Sequence, residues 1–193
     1  MKKLLVIACV FIASYGYAQD LKFGVKAGLN LSNIVGDDVE DTNMKAGIYL
    51  GGFLNTSLND RLSFQPELIY SRQGWTENPG EADLTFKMSY INIPLLLKMS
   101  LGASDKVHIY AGPQLGFLVN SELEADAGYG TSTQDIEDST NKVDFNLNFG
   151  ISFVGNDDMS FDIRYNRGLS KLDEIYDLKV YNSTFQFGVA YSF

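Results

Sequence analysis

The chain has 193 residues, of which 45% are hydrophobic, 13% aromatic and 20% charged, and this balance is too apolar for a disordered protein. With 24 acidic against 15 basic residues and a formal net charge of −9, it lacks the basic surface that nucleic-acid binding requires, so we expect no nucleic-acid partner. Its single Cys and single His exclude a disulfide framework and any metal site built from several such residues.

The beginning of the chain has the layout of a secretory signal peptide. A basic start precedes an apolar run over 4–13, and Gly16 and Ala18 supply the small residues of a cleavage site. The apolar run is too short to cross a membrane as a helix. We therefore predict a signal peptide over 1–18 and a single exported domain over 19–193.

The remainder of the chain alternates between apolar residues and polar or small ones, which is the pattern of β-strands. The first segment is typical, because the odd positions from Leu21 to Leu31 are apolar and the even positions from Lys22 to Ser32 are polar or glycine. Most segments are longer than the ~5–6 residues that are usual for strands of soluble proteins. Eight of them can be placed, at residues 21–32, 44–57, 61–74, 85–101, 106–120, 142–154, 159–170 and 180–193.

The connections between these segments alternate in length. Short turns rich in Asn, Asp and Gly are expected near 58–60, 102–105 and 155–158, and long loops near 33–43, 75–84, 121–141 and 171–179. An even number of long strands with long loops at one end is typical of a transmembrane β-barrel. Closure also pairs the strand edges, which lipid could not satisfy. The prediction is an all-β fold, an eight-stranded antiparallel transmembrane β-barrel.

The polarity of the two strand faces separates a membrane barrel from a soluble one. The polar set is rich in Gly, Ser and Asn, as the narrow lumen of an eight-stranded barrel requires, and the apolar set is rich in Phe, as a lipid-facing wall requires. A lipocalin-like barrel with the apolar set inside is the alternative. The segment over 44–57 carries apolar residues on both faces, so its register stays open.

The chain contains five short motifs: KFGVKAGLN over 22–30, QPELIYS over 65–71, YINIPLLLK over 90–98, YAGP over 110–113 and RYNRGL over 164–169. Together they resemble the PorT-type family of outer-membrane β-barrels. The resemblance covers essentially the whole exported domain and implies short periplasmic turns, periplasmic termini and four long extracellular loops, but it implies no reaction. In addition, Phe187, Val189, Tyr191 and Phe193 resemble the C-terminal signature of Gram-negative outer-membrane proteins, which the barrel-assembly machinery reads.

Four charged residues of the lumen face are predicted to lie at similar depths, near the short turns: Glu67, Lys98, Asp162 and Arg164. Buried charges in a narrow barrel must be paired, since each unpaired charge costs several kcal/mol. We therefore predict a structural charge network that fills the lumen. A gated polar path through the lumen is the alternative.

Three cations of the outward face lie near the long loops: Arg72, Lys87 and Arg167. Tyr70 and Tyr165 precede two of them by two residues, and aromatic side chains belong at the membrane interface. These cations are predicted to contact lipid head groups, including lipopolysaccharide phosphates, or simply to extend toward water.

Most acidic residues fall in the four predicted long loops, where Lys171 and Lys179 are the only basic ones. This pattern predicts a solvated, repulsive surface, or a site for divalent cations or a basic partner. The acids are Asp37, Asp38, Glu40, Asp41, Glu77, Glu81, Asp83, Glu122, Glu124, Asp126, Asp135, Glu137, Asp138, Asp173, Glu174 and Asp177.

The function that these patterns favour is that of a non-enzymatic envelope component that acts through its loops, with no catalytic residue, metal or cofactor. A transport or secretion accessory with an unknown secretion or surface protein partner is the second hypothesis, by analogy with the PorT-type family. A lipid-modifying enzyme is a remote third, because it would depend on His108 as the single possible imidazole base.

Overall fold

The computed structural model describes residues 21–37, 39, 42–77, 83–102, 106–126, 128, 130–137, 140–155, 158–172 and 179–193. The predicted signal peptide over 1–18 lies outside the described residues. Within the described ranges no helix is long and apolar enough to cross a membrane.

Nine strands make up the described structure, and every pairing between them is antiparallel. Eight of the nine pair successively around a ring, closed by β1 with β9, which confirms the predicted all-β antiparallel barrel. The strands are β1 Leu21–Gly36, β2 Thr42–Ser57, β3 Leu62–Glu77, β4 Asp83–Ser100, β5 Val107–Asp126, β6 Thr131–Asp135, β7 Val143–Val154, β8 Met159–Gly168 and β9 Val180–Ser192.

The ninth strand lies outside the ring. β6 pairs only with the last part of β5, from Glu122 opposite Asp135 to Asp126 opposite Thr131, and all of its residues are exposed. The prediction of a long loop over 121–141 was therefore wrong in part, since β5 continues to Asp126 and β6 spans Thr131–Asp135. Its polar residues form a hairpin instead, because pairing satisfies the backbone donors and acceptors whether or not a side-chain face is buried. The loop predicted over 75–84 is likewise shortened, since β3 runs to Glu77 and β4 begins at Asp83.

The two ends of the ring differ. At one end, called here the short-turn end, strands are joined over 58–61, 101–106 and 155–158; the opposite end is called the long-loop end. The Asn59 side chain shapes the first short turn by accepting hydrogen bonds from the Arg61 and Leu62 backbone N–H groups at 3.0 and 2.9 Å. Gly102 has a φ of 83° in the second, where a residue with a side chain would be strained.

The two faces of the ring have opposite polarity. Leu29, Leu68 and Phe149 are among many large apolar side chains that are exposed on the outer wall. Asn30 and Asn148, by contrast, are fully buried inside. A continuous apolar outer surface of this kind marks contact with lipid rather than water, so the lipocalin-like alternative was wrong.

The register of β2 is resolved by an irregularity between Met44 and Tyr49, where its pairing with β3 shifts. Tyr49 and Phe53 point inward, whereas Ile48 and Leu50 are exposed on the wall. The Tyr49 ring has room because the neighbouring strands carry glycine beneath it. A Cβ at Gly188 would lie 2.1 Å from the Tyr49 hydroxyl oxygen, which no side chain could tolerate.

Candidate functional site

A buried ion cluster crosses the lumen and is centred on Glu67. The Arg164 guanidinium donates from Nη1 to Oε2 and from Nη2 to Oε1 of Glu67, both at 2.9 Å, and Lys26 Nζ lies 3.1 Å from Oε1. Gln65 donates a further hydrogen bond to Oε1 at 2.7 Å. The side chain of Glu67 is 0% exposed, that of Arg164 is 2% exposed and that of Lys26 is 1% exposed. This bidentate, fully hydrogen-bonded geometry is what a buried charge pair needs to offset its desolvation.

The cluster differs in membership from the predicted network. Glu67 and Arg164 come together, and Asp162 lies at its edge with Oδ1 3.9 Å from Lys26 Nζ. Lys98 forms no ion pair among the described residues, and its ammonium lies 5.8 Å from the Tyr110 ring centroid, but it interacts electrostatically with Asp162 and Glu67 over a longer distance. Lys26, which was not in the predicted network, also contacts Glu67, and its strand β1 lies between β3 and β8 around the ring.

Tyr110 contacts the Arg164 side chain through both its hydroxyl group and its ring. Arg164 Nε donates to the Tyr110 hydroxyl at 3.4 Å, and the guanidinium carbon is 5.2 Å from the ring centroid. The ring reaches this position by lying across Gly150 of the neighbouring β7, where a Cβ would be 2.4 Å from Tyr110 Cζ. Tyr110 and Gly150 therefore act together in positioning Arg164.

Above the ion cluster, toward the long-loop end, neutral polar side chains fill the lumen. Asn30 donates to Ser71 Oγ at 2.9 Å and accepts from Gln186 at 3.0 Å, and Asn166 donates to Asn148 at 3.0 Å. The two bonds of Asn30 join β1 to β3 and to β9, and the bond between Asn166 and Asn148 joins the consecutive strands β7 and β8. The lumen at this depth is occupied by the protein's own side chains.

An apolar cluster lies inside the ring near the long-loop end and is called here the apolar plug. The plug was not predicted, because the sequence analysis assigned polar residues to the lumen face and apolar residues to the lipid face. The Trp75 ring stacks on Phe86, with centroids 4.3 Å apart and planes 8° from parallel. The plug consists of Ile34, Trp75, Met88, Tyr90, Leu172 and Val180, with Val39, Phe86 and Leu118 packed against it.

A polar cavity of about 510 Å³ opens at the short-turn end and is called here the short-turn cavity. Lys98, Asp162 and His108 line it, so His108 faces the lumen at the end opposite the long loops. Within the described part of the chain, no group of three or more His, Cys, Asp and Glu side chains could hold a metal ion.

The three outward cations do not form one site. Lys87 is ion-paired with Glu124, and it lies with Arg72 and Lys45 close enough for electrostatic interaction. Arg167 is on β8, halfway around the ring from β3, and its guanidinium carbon is 5.8 Å from the Tyr181 ring centroid. Arg72 is exposed, whereas Lys87 and Arg167 are half-buried, and the distribution of the three cations around the ring depends on strand order.

The residues of the predicted assembly signature lie along the outer wall. Phe187, Val189 and Tyr191 are exposed on β9, and the Phe193 ring packs against Phe23 of β1 with centroids 5.1 Å apart. The Phe193 N–H also donates to the Phe23 carbonyl at 2.8 Å. Their recognition by the assembly machinery stays a prediction.

Comparison with known proteins decides the family. The sequence model of the outer membrane protein beta-barrel domain matches residues 17–174, which is more than half of the chain. The chain belongs to this family. As an outer membrane protein beta-barrel domain, it resides in the cell outer membrane, which confirms the predicted location. No curated protein matches the sequence.

Solved structures of two other outer-membrane barrels share the fold of this beta-barrel domain. Ail, the attachment invasion locus protein of Yersinia pestis solved with the heparin analogue sucrose octasulfate, is 16% identical, with a TM-score of 0.56. Neisserial surface protein A is 17% identical, with a TM-score of 0.57. Each comparison covers 91% of this chain and 100% of the other. At these identities the likeness concerns the fold alone.

Proposed function

We propose that the protein is a non-enzymatic component of the outer membrane that acts through its acidic long-loop end, with the short turns in the periplasm and the long loops outside the cell. The observation that carries this proposal is the filled lumen. The Glu67 carboxylate is completely buried between two cations, and the apolar plug lies between it and the long-loop end. A barrel that is filled in this way offers partners its ends and its wall rather than a channel.

The charge of the long-loop end favours a basic partner or divalent cations. Glu122, Glu124 and Asp126 lie on the part of β5 that forms the protruding hairpin with β6. A sulfated ligand such as the heparin analogue in complex with Ail does not suit this end, because its acids would repel a polyanion. The proposed partner is therefore cationic, in contrast to that ligand.

Single-channel recording in planar lipid bilayers tests the closed lumen. We expect the purified wild-type protein to insert without stepwise conductance, because solutes would have to displace a buried ion cluster and an apolar plug. Protease added to intact cells should cleave within the long loops and leave the short turns protected. Regular conductance steps, or cleavage at the short turns alone, would contradict the proposal.

A secretion accessory of the PorT type is the second candidate function. The motif over 90–98 that resembles this family lies on β4, and Lys98 at its end lines the short-turn cavity, which is accessible from the periplasm in the proposed orientation. Loss of secreted proteins from the medium of a deletion strain, with an intact envelope, would favour this role over a loop-mediated one. A catalytic role of His108 is not proposed, because the residue lies at the end away from the outer leaflet.

The outer wall is proposed to bind lipopolysaccharide through Arg72 and Lys87. Arg72 is exposed and has no ion pair among residues that the structure describes, and Lys45 adds positive charge beside it. We expect Arg72→Glu combined with Lys87→Glu to lower the lipopolysaccharide that co-purifies with the protein several-fold, because head-group phosphates would then face two carboxylates. The amount is measured by phosphate assay after detergent extraction.

Lys142→Glu combined with Lys179→Glu is the matched control, since it reverses two exposed charges at the same end but away from this part of the wall. Equal lipid retention in both double variants would show that Arg72 and Lys87 only extend toward water. We also propose that the barrel-assembly machinery contacts the outer wall of β9 through the C-terminal signature Phe187, Val189, Tyr191 and Phe193.

A further inference from the structure

The short-turn cavity has a composition that the role of the loops does not explain. Four cations line it, Lys22, Arg61, Lys98 and Lys106, against the three acids Asp60, Asp158 and Asp162. Asp162 is also close to Lys26 in the ion cluster, at 3.9 Å. The cavity is therefore biased toward positive charge in a protein whose overall charge is −9.

Lys98 is the cation whose position calls for a ligand. Its side chain is partly buried on the wall of the cavity, and the ammonium lies 5.8 Å from the Tyr110 ring centroid. No carboxylate of the described residues lies within ion-pair distance of it. Asp162 and Glu67 attract the Lys98 ammonium only from beyond ion-pair distance, so an anion that enters the cavity would supply the direct ionic contact that Lys98 lacks.

Neutral groups in the same cavity fit a hydroxyl-rich ligand. Ser152 is fully buried there, and its Oγ has no hydrogen-bond partner among the described groups. The volume of about 510 Å³ is within the range of sites for small organic ligands. Further hydroxyl and amide side chains of the lining are Asn55, Ser57, Ser63, Ser100 and Ser160.

We propose that the short-turn cavity is a binding site for a small phosphorylated sugar, with Lys98 and Arg61 contacting the phosphate and the serine hydroxyls contacting the sugar. Arg61 presents a planar donor fork at the rim, and Lys98 presents a point charge deeper inside, which together suit a phosphate group. The ion cluster closes the inner side of the cavity, so ligand enters and leaves from the short-turn end. This site goes beyond the proposed function of the loops and relies on it only for which compartment supplies the ligand.

Isothermal titration calorimetry on the full-length protein in zwitterionic detergent tests the site, with glucose 6-phosphate as the probe. We expect saturable binding at millimolar concentration or tighter, much weaker binding of inorganic phosphate, and none of glucose. Lys98→Gln and Arg61→Gln should each weaken binding about tenfold, since each removes one charge-assisted contact. Lys179→Gln, which removes the same charge at the opposite end, should bind like the wild type.

Two outcomes would overturn the proposal: no saturable binding of glucose 6-phosphate by the wild type, or an equal loss in the Lys179→Gln control, which would indicate a general charge effect. Equal affinity for inorganic phosphate and glucose 6-phosphate would contradict the sugar part of it. Arg61 lies in an exposed turn, so its variant keeps the test valid if Lys98→Gln fails to fold. Because binding is measured on purified protein, its failure is distinct from a failure of the proposed orientation.

Discussion

Glu67→Gln is expected to lower the free energy of unfolding by about 3–5 kcal/mol, because it leaves two buried cations, Lys26 and Arg164, without their shared anion. The substitution preserves the size of the side chain, so packing is not the cause of the loss. Unfolding by urea in phospholipid vesicles, followed by the difference in gel mobility between unheated and boiled samples, measures the effect.

The control is Glu137→Gln, since Glu137 pairs with Lys142 at 3.9 Å on the surface, where both side chains are largely hydrated. An exposed pair of this kind contributes ~0–1 kcal/mol, so this variant should unfold close to the wild type. Replacing Glu67, Lys26 and Arg164 together by Leu should recover part of the stability, because the three central charges are then gone and only Asp162, at the edge of the cluster, loses its ion-pair partner. If Glu67→Gln and Glu137→Gln unfolded with similar free energies, the prediction would be wrong, because the charges of the cluster would then be solvated by water rather than buried.

Leu68→Arg should cost about 2–4 kcal/mol of folding free energy in lipid vesicles, because Leu68 lies near the middle of β3 and is exposed on the outer wall. At this depth the guanidinium would have to enter the hydrocarbon region of the bilayer. The measurement is the equilibrium between the folded, membrane-inserted protein and the urea-unfolded chain.

Leu58→Arg is the matched control for that experiment. Leu58 is 57% exposed and Leu68 is 59% exposed, so the two sites differ in depth and not in accessibility. Leu58 lies in the first short turn, and the cost there should be ~0–1 kcal/mol. If both variants were equally stable, the outer wall of β3 would face water, and the proposed placement in the membrane would be wrong.

Strand positions and the polarity of the two faces were predictable because both follow from period two. Leu29 and Asn30, for example, differ by one position and lie on opposite sides of the wall. The residues at which the strands begin and end were less predictable. Glu122 and Glu124 read as loop residues from their charge, but they continue β5, since backbone pairing outside the membrane does not need apolar side chains.

The residues that form the ion cluster could not be predicted from the alternation of polar and apolar positions alone. Which lumen residues meet depends on strand tilt and on the stagger of neighbouring strands, and this is why Lys26 rather than Lys98 contacts Glu67. The inward direction of Tyr49 and Phe53 was obscured for another reason, because aromatic residues are also typical of the lipid face. The glycines opposite them, such as Gly188, were the available signal.

The ion cluster also constrains the order in which the barrel can be completed. Glu67 is on β3 and Arg164 on β8, 97 residues apart, and the seam between β1 and β9 lies between them. Until that seam closes, each charge keeps its hydration shell, so expulsion of this water and joining of the first and last strands become one event. Opening the seam between β1 and β9 would separate the three charges of the cluster at once. Barrels in which this seam is only partly closed are therefore disfavoured, and assembly is cooperative.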